Sequence, residues 1–349
     1  MAKSFAQQII SWYKNHMREL PWRLTEDPYK IWLSEIILQQ TRVAQGLPYY
    51  EKFIAKYPTV HDLAVAPQDE VLRMWQGLGY YSRARNLHSC AQSVVEDYDG
   101  HFPETYEELQ KLKGVGKYTA AAIASFAFKK KVPVVDGNVF RVLSRFLVID
   151  KDIADPKNFK LFFEASKELI SEDQPDLYNQ ALMELGATLC SVSKPACLLC
   201  PVAEECQARI EGKQTELPIK LKKVKVRKRY FYYLLIEQNE KLLMGKRGPN
   251  DIWQGLFDFP LIESKNVLST PELEKELSSI FPKQKHFKYE LSNSVKHILT
   301  HQIIEAFFIS IDMKKAQIKI NGYSWYDEGE VEELPKPRLV DKYLKENFY

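Results

Sequence analysis

The sequence predicts a multidomain protein, with an all-α domain in residues 1–212, a basic linker in residues 213–229 and an α+β domain in residues 230–349. Three observations predict this fold class. The 349 residues are too many for one ordinary domain and suit two. Apolar residues recur at helical spacing up to residue 212, whereas short runs rich in β-branched and aromatic residues follow residue 230. The segment between them is strongly basic.

The periodicity defines the individual elements. Five segments of the first domain carry apolar residues at helical spacing or nearly all round, and turn signals such as Ala66-Pro67 separate them. The predicted helices are 31–40, 63–75, 84–95, 119–128 and 180–190. In the second domain the predicted strands are 230–236, 241–244 and 303–311, and the predicted helix is 271–281.

The composition is that of a folded protein, with 45% apolar and 27% charged residues. No apolar run approaches the roughly 18 residues that cross a bilayer. Residues 1–15 predict an amphipathic helix rather than a signal peptide, because they lack an apolar core and a cleavage site. We therefore expect a cytoplasmic protein with no membrane partner, and we expect it to be a monomer.

Two carboxylates suggest acid–base chemistry. Glu35 lies in a predicted helix among apolar neighbours such as Ile31, Trp32 and Leu38. Desolvation there would favour the protonated form that a general acid needs, although a side chain that reaches solvent or a buried partner is the alternative. Asp136 follows an apolar run and precedes a glycine, which also suits a helix N-cap. Together the pair fits hydrolysis of an N-glycosidic bond, with one acid and one carboxylate facing a cationic sugar.

A glycine-rich turn joins two helical segments within residues 112–120. Gly114 and Gly116 permit a tight turn, which leaves backbone N–H groups and Lys117 at the start of the next helix, a natural anion site. The segment resembles the helix–hairpin–helix of DNA-binding proteins, and an ordinary helical hairpin is the alternative. A hairpin followed by an apolar stretch that ends in an aspartate, here Asp136, is typical of the helix–hairpin–helix glycosylase superfamily.

Four of the five cysteines are clustered at the end of the first domain. Four thiolates in one loop can hold a [4Fe–4S] cluster or a tetrahedral zinc, and the spacing alone does not decide between them. The spacing resembles the iron–sulfur loop of the endonuclease III and MutY superfamily, which implies a [4Fe–4S] cluster that ties the loop carrying Lys194. The implied ligands are Cys190, Cys197, Cys200 and Cys206. The fifth cysteine, Cys90, is predicted to be a buried thiol.

The linker carries eight basic residues and one acidic residue, although the net charge of the chain is only +3. Such a stretch is attracted to phosphate, but a solvated spacer that touches nothing is equally compatible with it. The lysines expected to contact phosphates are Lys222, Lys223 and Lys225.

Further motifs closely resemble the adenine glycosylases of the MutY type. They are Leu33-Ser34-Glu35 with Leu38-Gln39-Gln40-Thr41, Gly77-Leu78-Gly79-Tyr80-Tyr81 with Arg83-Ala84-Arg85-Asn86, and Asp136-Gly137-Asn138-Val139. The resemblance covers nearly all of residues 1–212. In bifunctional relatives, a lysine that forms a Schiff base stands at the position of Tyr118, so the resemblance implies a glycosylase that does not cut the strand.

The resemblance also implies roles for the matching residues. Glu35 protonates adenine at N7, and Asp136 stabilises or traps the oxocarbenium-like sugar. Asn138 and Tyr118 orient the two carboxylates. The base must leave the stack to be reached. The residues implied to line its pocket are Trp22, Arg23 and Gln180. Those implied to contact the DNA beside the lesion are Gln40, Thr41, Leu78 and Tyr80, although ordinary core packing is the alternative for Leu78 and Tyr80.

The second domain contains Lys246-Arg247 and Trp253-Gln254-Gly255-Leu256-Phe257-Asp258-Phe259-Pro260. These motifs resemble, more weakly, the Nudix-like C-terminal domain of the same enzymes. A Nudix hydrolase needs a metal-binding box that begins Gly-x5-Glu, but counting from Gly255 places Leu261 at the glutamate position. The missing box implies lesion recognition rather than nucleotide hydrolysis. The family's Phe-Ser-His motif aligns with Leu299-Thr300-His301, and a threonine hydroxyl can donate and accept as serine does. We expect Thr300 and His301 to recognise 8-oxoguanine unless this stretch is merely an interior strand.

The resulting prediction is an all-α helix–hairpin–helix glycosylase domain with a [4Fe–4S] loop, followed by an α+β Nudix-like domain. The predicted substrate is double-stranded DNA with adenine opposite 8-oxoguanine or guanine. Two alternatives remain open from the sequence: a thymine or uracil mismatch glycosylase on the same scaffold, and a lesion-binding protein without catalysis.

Overall fold

The computed structural model describes residues 2–221, 226–282, 288–311 and 318–348, with side chains from Phe5 onwards. The linker lysines 222, 223 and 225 lie outside these residues. The chain divides into two compact units, the first formed by Met1–Val65 and Asn86–Lys222, the second by Ala66–Arg85 and Lys223–Tyr349. Within the described ranges, no helix has both the length and the apolar content to span a bilayer.

The helices of the described residues are numbered in chain order. They are α1 Ala2–His16, α2 Pro28–Leu38, α3 Val43–Lys56, α4 Val60–Val65, α5 Gln68–Met74, α6 Ser82–Tyr98, α7 Tyr106–Leu109, α8 Lys117–Phe126, α9 Gly137–Phe146, α10 Phe159–Leu169, α11 Pro175–Thr188, α12 Gln207–Ile210, α13 Thr270–Ile280, α14 Glu328–Glu333 and α15 Arg338–Asn347. Short 3-10 turns occupy Pro21–Arg23, Pro156–Asn158 and Cys197–Leu199.

The strands complete the inventory. They are β1 Arg227–Gln238, β2 Lys241–Lys246, β3 Phe257–Asp258, β4 Leu261–Ser264, β5 Tyr289–Leu291, β6 Val295–Ile298, β7 Gln302–Ile311 and β8 Tyr323–Asp327.

One apolar core cluster of the first unit lies among α1, α9, α10 and α11. On α9 the buried positions Val139, Val142, Leu143 and Phe146 repeat at three and four residues, which places them on one face. This face packs in the same apolar cluster as Phe5 of α1 and residues of α10 and α11. The helical texture predicted for the first domain is confirmed.

The helix predicted over residues 63–75 is wrong as a single element. In the structure α4 ends at Val65 and α5 begins at Gln68, with Pro67 at the N-cap of α5. A proline cannot donate a backbone hydrogen bond and disfavours helical geometry in the residue before it, so the apolar periodicity continues across a break. The turn predicted at Ala66-Pro67 is therefore correct, and the apolar periodicity does not indicate one continuous helix here.

The second unit contains a mixed sheet built around β1 and β7. These two strands pair in parallel from Arg227 opposite Gln302 to Ile236 opposite Ile311. Strand β1 also pairs antiparallel with β2 and β4, β2 with β3 and β8, and β7 with β5 and β6. Consecutive residues of β1 are buried on both faces of the sheet, as is typical of a central strand. The α+β class predicted for this region is confirmed.

Residues 66–85 cluster with the second unit although they lie far from it in sequence. Lys246 Nζ lies 2.5 Å from Asp69 Oδ1, and Arg85 Nη1 donates to the carbonyl of Gln254 at 2.8 Å. The backbone N–H of Lys336 donates to Gln76 Oε1 at 3.0 Å. The structural division therefore differs from the sequence ranges 1–212 and 230–349, because these contacts join segments that no local pattern connects.

Candidate active site

A cavity of about 580 Å³ opens in the first unit. It brings together residues from five helices, α2, α3, α8, α9 and α11, and from the turn Pro21–Arg23. Its wall includes eight residues that the sequence singled out: Trp22, Arg23, Glu35, Thr41, Tyr118, Asp136, Asn138 and Gln180. Gln40 is not among the lining residues; it is exposed and has a left-handed φ of 55° at the end of α2. A volume of this size suits a purine-sized ligand.

Glu35 lies on α2, a helix whose start is fixed by Asp27, which accepts a hydrogen bond from the backbone N–H of Tyr29. The side chain is buried, with 7% of the residue exposed. The hydroxyl of Tyr118 donates to Glu35 Oε2 at 2.7 Å. Burial raises the pKa of Glu35 to about 7, although this hydrogen bond opposes the rise. Near neutral pH the carboxyl group is therefore protonated in a large fraction of molecules, as a general acid requires.

Asp136 is the N-cap of α9 and has both carboxyl oxygens occupied. Oδ1 accepts from the backbone N–H groups of Asn138 and Val139, each at 2.8 Å, and Oδ2 accepts from Asn138 Nδ2 at 2.8 Å. Burial raises the pKa of Asp136, and these hydrogen bonds oppose that rise. The N-cap and the site-residue interpretations of the sequence are therefore geometrically compatible.

Arg141 connects Asn138 to the cysteine loop. Its Nη2 donates to Asn138 Oδ1 at 2.8 Å and to the carbonyl of Gly186 at 2.7 Å, while Nε donates to the carbonyl of Cys190 at 2.7 Å. Helices α9 and α11 approach closely here, because a Cβ on Gly186 would lie 2.6 Å from Asn138 Cβ. Asn138 is thus held from both ends, which fixes the amide that contacts Asp136.

Sequence reasoning missed a third acidic group in the cavity wall, Glu184 on α11. Its side chain is fully enclosed and contacts two guanidinium groups. Arg18 donates through Nε and Nη2 at 2.7 and 2.6 Å, and Arg23 donates through Nη2 at 2.6 Å. Burial works against ionisation of Glu184, but the two arginines outweigh it and lower its pKa to about 2. The sequence feature that could have identified Glu184 is the one used for Glu35, namely a glutamate that stands next to apolar residues in a predicted helix.

Gln180 is positioned by a tyrosine from the first helix. The hydroxyl of Tyr13 donates to Gln180 Oε1 at 2.8 Å, and the guanidinium carbon of Arg23 lies 5.5 Å from the centroid of the Tyr13 ring. Trp22 is buried and meets the Tyr50 ring edge-on at a centroid distance of 5.1 Å. The aromatic and polar side chains predicted for a base pocket therefore share one enclosure with Glu35.

The predicted hairpin adopts the tight turn that its glycines suggest. Gly114 has a φ of 77°, and a Cβ there would lie 2.7 Å from Asn86 Cβ, so only glycine fits. Gly116 is the N-cap of α8, and a Cβ added there would meet nothing within 4 Å. The space above Gly116 and the exposed Lys117 is open, so a phosphate group can approach the N-terminus of α8.

The four clustered cysteines line one small cavity of about 30 Å³. Among the described residues, no group of three or more His, Cys, Asp or Glu side chains is placed to hold a single metal ion. Arg145 lies in the wall of this cavity, and its Nη1 donates to Cys190 Sγ at 3.3 Å. Cys90 is fully buried elsewhere, as predicted for a thiol of the core.

The buried guanidinium group of Arg145 indicates whether an anionic cluster fits this cavity. It is only 2% exposed, and its other hydrogen bonds go to the backbone carbonyls of Ser191, Val192 and Leu217. No carboxylate of the described residues pairs with it. A buried cation is costly without a negative partner, so thiolates bound to a metal cluster beside Cys190 fit this position.

The second unit brings two predicted DNA-contacting segments together. The hydroxyl of Tyr80 is hydrogen-bonded to Thr300 Oγ1, and both residues are exposed. Tyr80 has a left-handed φ of 49° and follows Gly79, which has a φ of 73°. Leu78 is buried, so the core-packing interpretation describes its position in this structure. His301 is exposed in the turn between β6 and β7.

Comparison with known proteins matches two family models to successive parts of the chain. Residues 33–168 match the HhH-GPD superfamily base excision DNA repair protein, and residues 231–346 match the NUDIX domain. The adenine DNA glycosylase of Buchnera aphidicola subsp. Acyrthosiphon pisum (strain APS) is 33% identical over 346 residues, covering 99% of this chain and 97% of the relative. The chain belongs to the adenine DNA glycosylase family.

Two further matches each cover about three fifths of this adenine DNA glycosylase family member. The adenine DNA glycosylase of Homo sapiens is 44% identical over 223 residues, or 61% of this chain and 41% of the human protein. The solved structure of a thermostable thymine-DNA glycosylase is 32% identical with a TM-score of 0.56, covering 60% of this chain and 97% of that one. The predicted family and its two-domain fold class are confirmed.

Proposed function

We propose that this adenine DNA glycosylase family member hydrolyses the N-glycosidic bond of adenine opposite 8-oxoguanine, and also opposite guanine, without cutting the strand. The observation that supports this most is the pairing of a buried, hydrogen-bonded Glu35 with Asp136 in one base-sized cavity. Double-stranded DNA is the partner, gripped through its phosphates at the hairpin around Gly116 and Lys117.

In the proposed reaction, adenine leaves the stack and enters the cavity. Glu35 donates its proton to N7 of adenine, so the pair of electrons in the N-glycosidic bond can leave with a neutral base. Positive charge then grows on the sugar, and the Asp136 carboxylate stabilises it electrostatically. Water adds to C1′ of the sugar and gives its proton to the Glu35 carboxylate, which restores the acid.

The experiment that tests this function is single-turnover excision on a set of otherwise identical duplexes. The set holds 8-oxoguanine:A, G:A, G:T and G:U pairs. We expect release of adenine from the first two duplexes and no base release from the others. Release of thymine or uracil would instead favour the mismatch-glycosylase alternative that the likeness to a thymine-DNA glycosylase raises. Tight binding without any release would favour a lesion-binding protein.

We expect no covalent adduct when the reaction is run with borohydride. Tyr118 stands where bifunctional relatives carry a lysine, and a phenol cannot form an imine with the sugar. Lys117 is exposed, whereas the Tyr118 hydroxyl is hydrogen-bonded to Glu35 in the cavity wall. Denaturing gels of the borohydride reaction, with a bifunctional glycosylase as the positive control, check this result. Efficient trapping of this chain would contradict the monofunctional assignment.

Recognition of the lesion is assigned to Thr300 and His301, supported by Tyr80. The contact between the Tyr80 and Thr300 hydroxyls holds the threonine beside the segment that is proposed to enter the duplex. We expect the double substitution Thr300→Ala with His301→Ala to narrow the ratio of excision rates between 8-oxoguanine:A and G:A duplexes, while G:A excision stays nearly intact. Equal slowing on both duplexes would mean that the loop supports the fold.

Cys190, Cys197, Cys200 and Cys206 are proposed to hold a [4Fe–4S] cluster with a structural role. The cluster would supply the negative charge that the buried Arg145 guanidinium lacks, and would fix the loop that carries Lys194 near a phosphate. Iron and acid-labile sulfide analysis of the purified protein tests this assignment. We expect about four iron atoms and four sulfide ions per chain. One zinc ion per chain without iron would contradict the [4Fe–4S] assignment and indicate a zinc site.

A further inference from the structure

Glu184 is the acidic group of the cavity to which the proposed reaction assigns no role. Its side chain is completely buried, yet it is ionised because two arginines surround it. The backbone N–H of Arg18 also donates to Glu184 Oε1, at 3.3 Å. Buried ion pairs stabilise a fold little compared with apolar side chains of the same size, so such a pair is weak as a device for stability alone.

The arrangement leaves guanidinium groups available to a ligand. Arg23 is only 11% exposed and uses Nη2 on Glu184 and Nη1 on the carbonyl of Arg18 at 3.1 Å. Its Nε has no acceptor among the described residues. Glu184 thus fixes a planar donor group in the cavity wall, beside the Gln180 amide whose oxygen is engaged by Tyr13.

The charge of this wall also matters for Glu35. The charged or titratable groups that line the cavity with Glu35 are Arg18, Arg23, Arg42, Tyr118, Asp136 and Glu184. Arg23 favours the ionised form of Glu35 and lowers its pKa, while Asp136 and burial raise it. A carboxylate paired with Arg23 compensates that positive charge. The cavity can therefore hold cationic donors for a base without ionising its acid.

We propose that Glu184 is a positioning residue that fixes Arg18 and Arg23 as hydrogen-bond donors to the flipped base and keeps their charge from Glu35. This inference rests on the proposed function of the cavity. Adenine offers only acceptors at its ring nitrogens N1, N3 and N7, whereas guanine carries a hydrogen at N1. Fixed N–H donors match the acceptors of adenine and leave a guanine N1–H facing another donor, which is unfavourable.

The test compares Glu184→Gln with Glu263→Gln. Glu263 accepts two hydrogen bonds from Arg229, at 2.7 and 2.6 Å, so it is a matched arginine–carboxylate pair in the second unit. Excision from an 8-oxoguanine:A duplex is measured under single turnover across enzyme concentration and pH. Binding to the corresponding duplex with an abasic site is measured alongside, because that duplex has no base to capture.

We expect Glu184→Gln to raise the enzyme concentration for half-maximal excision by about 10-fold or more, since a hydrogen bond to a charged group is of that strength. Affinity for the abasic duplex should not change. The fall of the excision rate at alkaline pH should move to lower pH, because the uncompensated Arg23 favours ionised Glu35. Glu263→Gln should change none of these quantities.

A double-mutant cycle with Arg23→Gln separates positioning from fold support. If Glu184 acts through Arg23, the effect of the double variant is smaller than the sum of the two single effects. Additive effects, an unshifted pH profile, or equal losses in excision and abasic-duplex binding would overturn the proposal. Should Glu184→Gln fail to fold, Arg18→Lys keeps the charge and removes the two-pronged contact, and the same shifts are expected at smaller size. Failure of the proposed function is distinguishable, because the unaltered chain would then release no adenine.

Discussion

Replacing Glu35 by glutamine should lower the rate of adenine excision by about 10²–10⁴-fold, the usual contribution of a general acid. Glutamine keeps the shape of the side chain and can still accept the hydrogen bond from the Tyr118 hydroxyl. It has no proton that it can transfer to the departing base. Single-turnover excision and the affinity for an 8-oxoguanine:A duplex are measured on the same preparation, and the affinity should remain close to that of the unaltered chain.

The pH dependence of excision follows from the pKa of Glu35, which is about 7. The acid must be protonated, so excision should be fastest below pH 7 and should fall as the pH rises through this value. Tyr118→Phe is the informative control. The Tyr118 hydrogen bond lowers the pKa of Glu35, so its removal should move the alkaline fall to higher pH. Near-normal excision by Glu35→Gln would show that another group is the acid.

Replacing Asp136 by asparagine should lower excision by about 10²–10³-fold, because the negative charge that faces the cationic sugar is lost. Asparagine is an equally good N-cap, so α9 should still begin at Gly137. The new amide cannot both accept from the backbone and accept from Asn138 Nδ2, as the Asp136 carboxylate does. A local rearrangement of Asn138 is therefore expected, but no global unfolding.

Thermal unfolding separates these two effects of the Asp136 substitution. Asp327→Asn is a matched control, since Asp327 caps α14 and accepts from the backbone N–H of Glu330 at 2.9 Å. Both variants should unfold within a few degrees of the unaltered chain, because both retain a cap. Only Asp136→Asn should lose excision. A similar loss in both variants, or retained excision in Asp136→Asn, would remove Asp136 from the mechanism.

Much of this site was predictable because its residues carry signals that are local in sequence. Glu35 stands among apolar helix residues, Asp136 stands before a glycine at a helix start, and Gly114 stands in a turn that requires a positive φ. Each of these features is either a charged residue in an apolar segment or a local backbone requirement, and it can be recognised from a few neighbouring residues. The structure places Glu35 and Asp136 in one cavity, although their chemical roles remain predictions.

The groups that sequence reasoning missed are defined by partners distant in the chain. Glu184 has apolar residues directly before and after it on α11, but its ionisation depends on Arg18 and Arg23, which lie more than 160 positions earlier. Arg141 is an ordinary basic residue of α9 until Asn138 and the carbonyl of Cys190 are seen beside it. No periodicity or spacing encodes such pairings, because they arise only when distant elements pack.

Residues 66–85 show that a sequence domain and a structural unit need not have the same boundaries. Asp69 and Arg85 meet Lys246 and the Gln254 carbonyl, and Tyr80 meets Thr300, so this early segment and the late domain form one physical module interrupted by 137 intervening residues. Exchanging residues 223–349 for the corresponding domain of a relative therefore also changes the residues that contact Tyr80. A graft that respects the physical module would carry both segments, and mutations in 66–85 and in 223–349 would be expected to compensate one another.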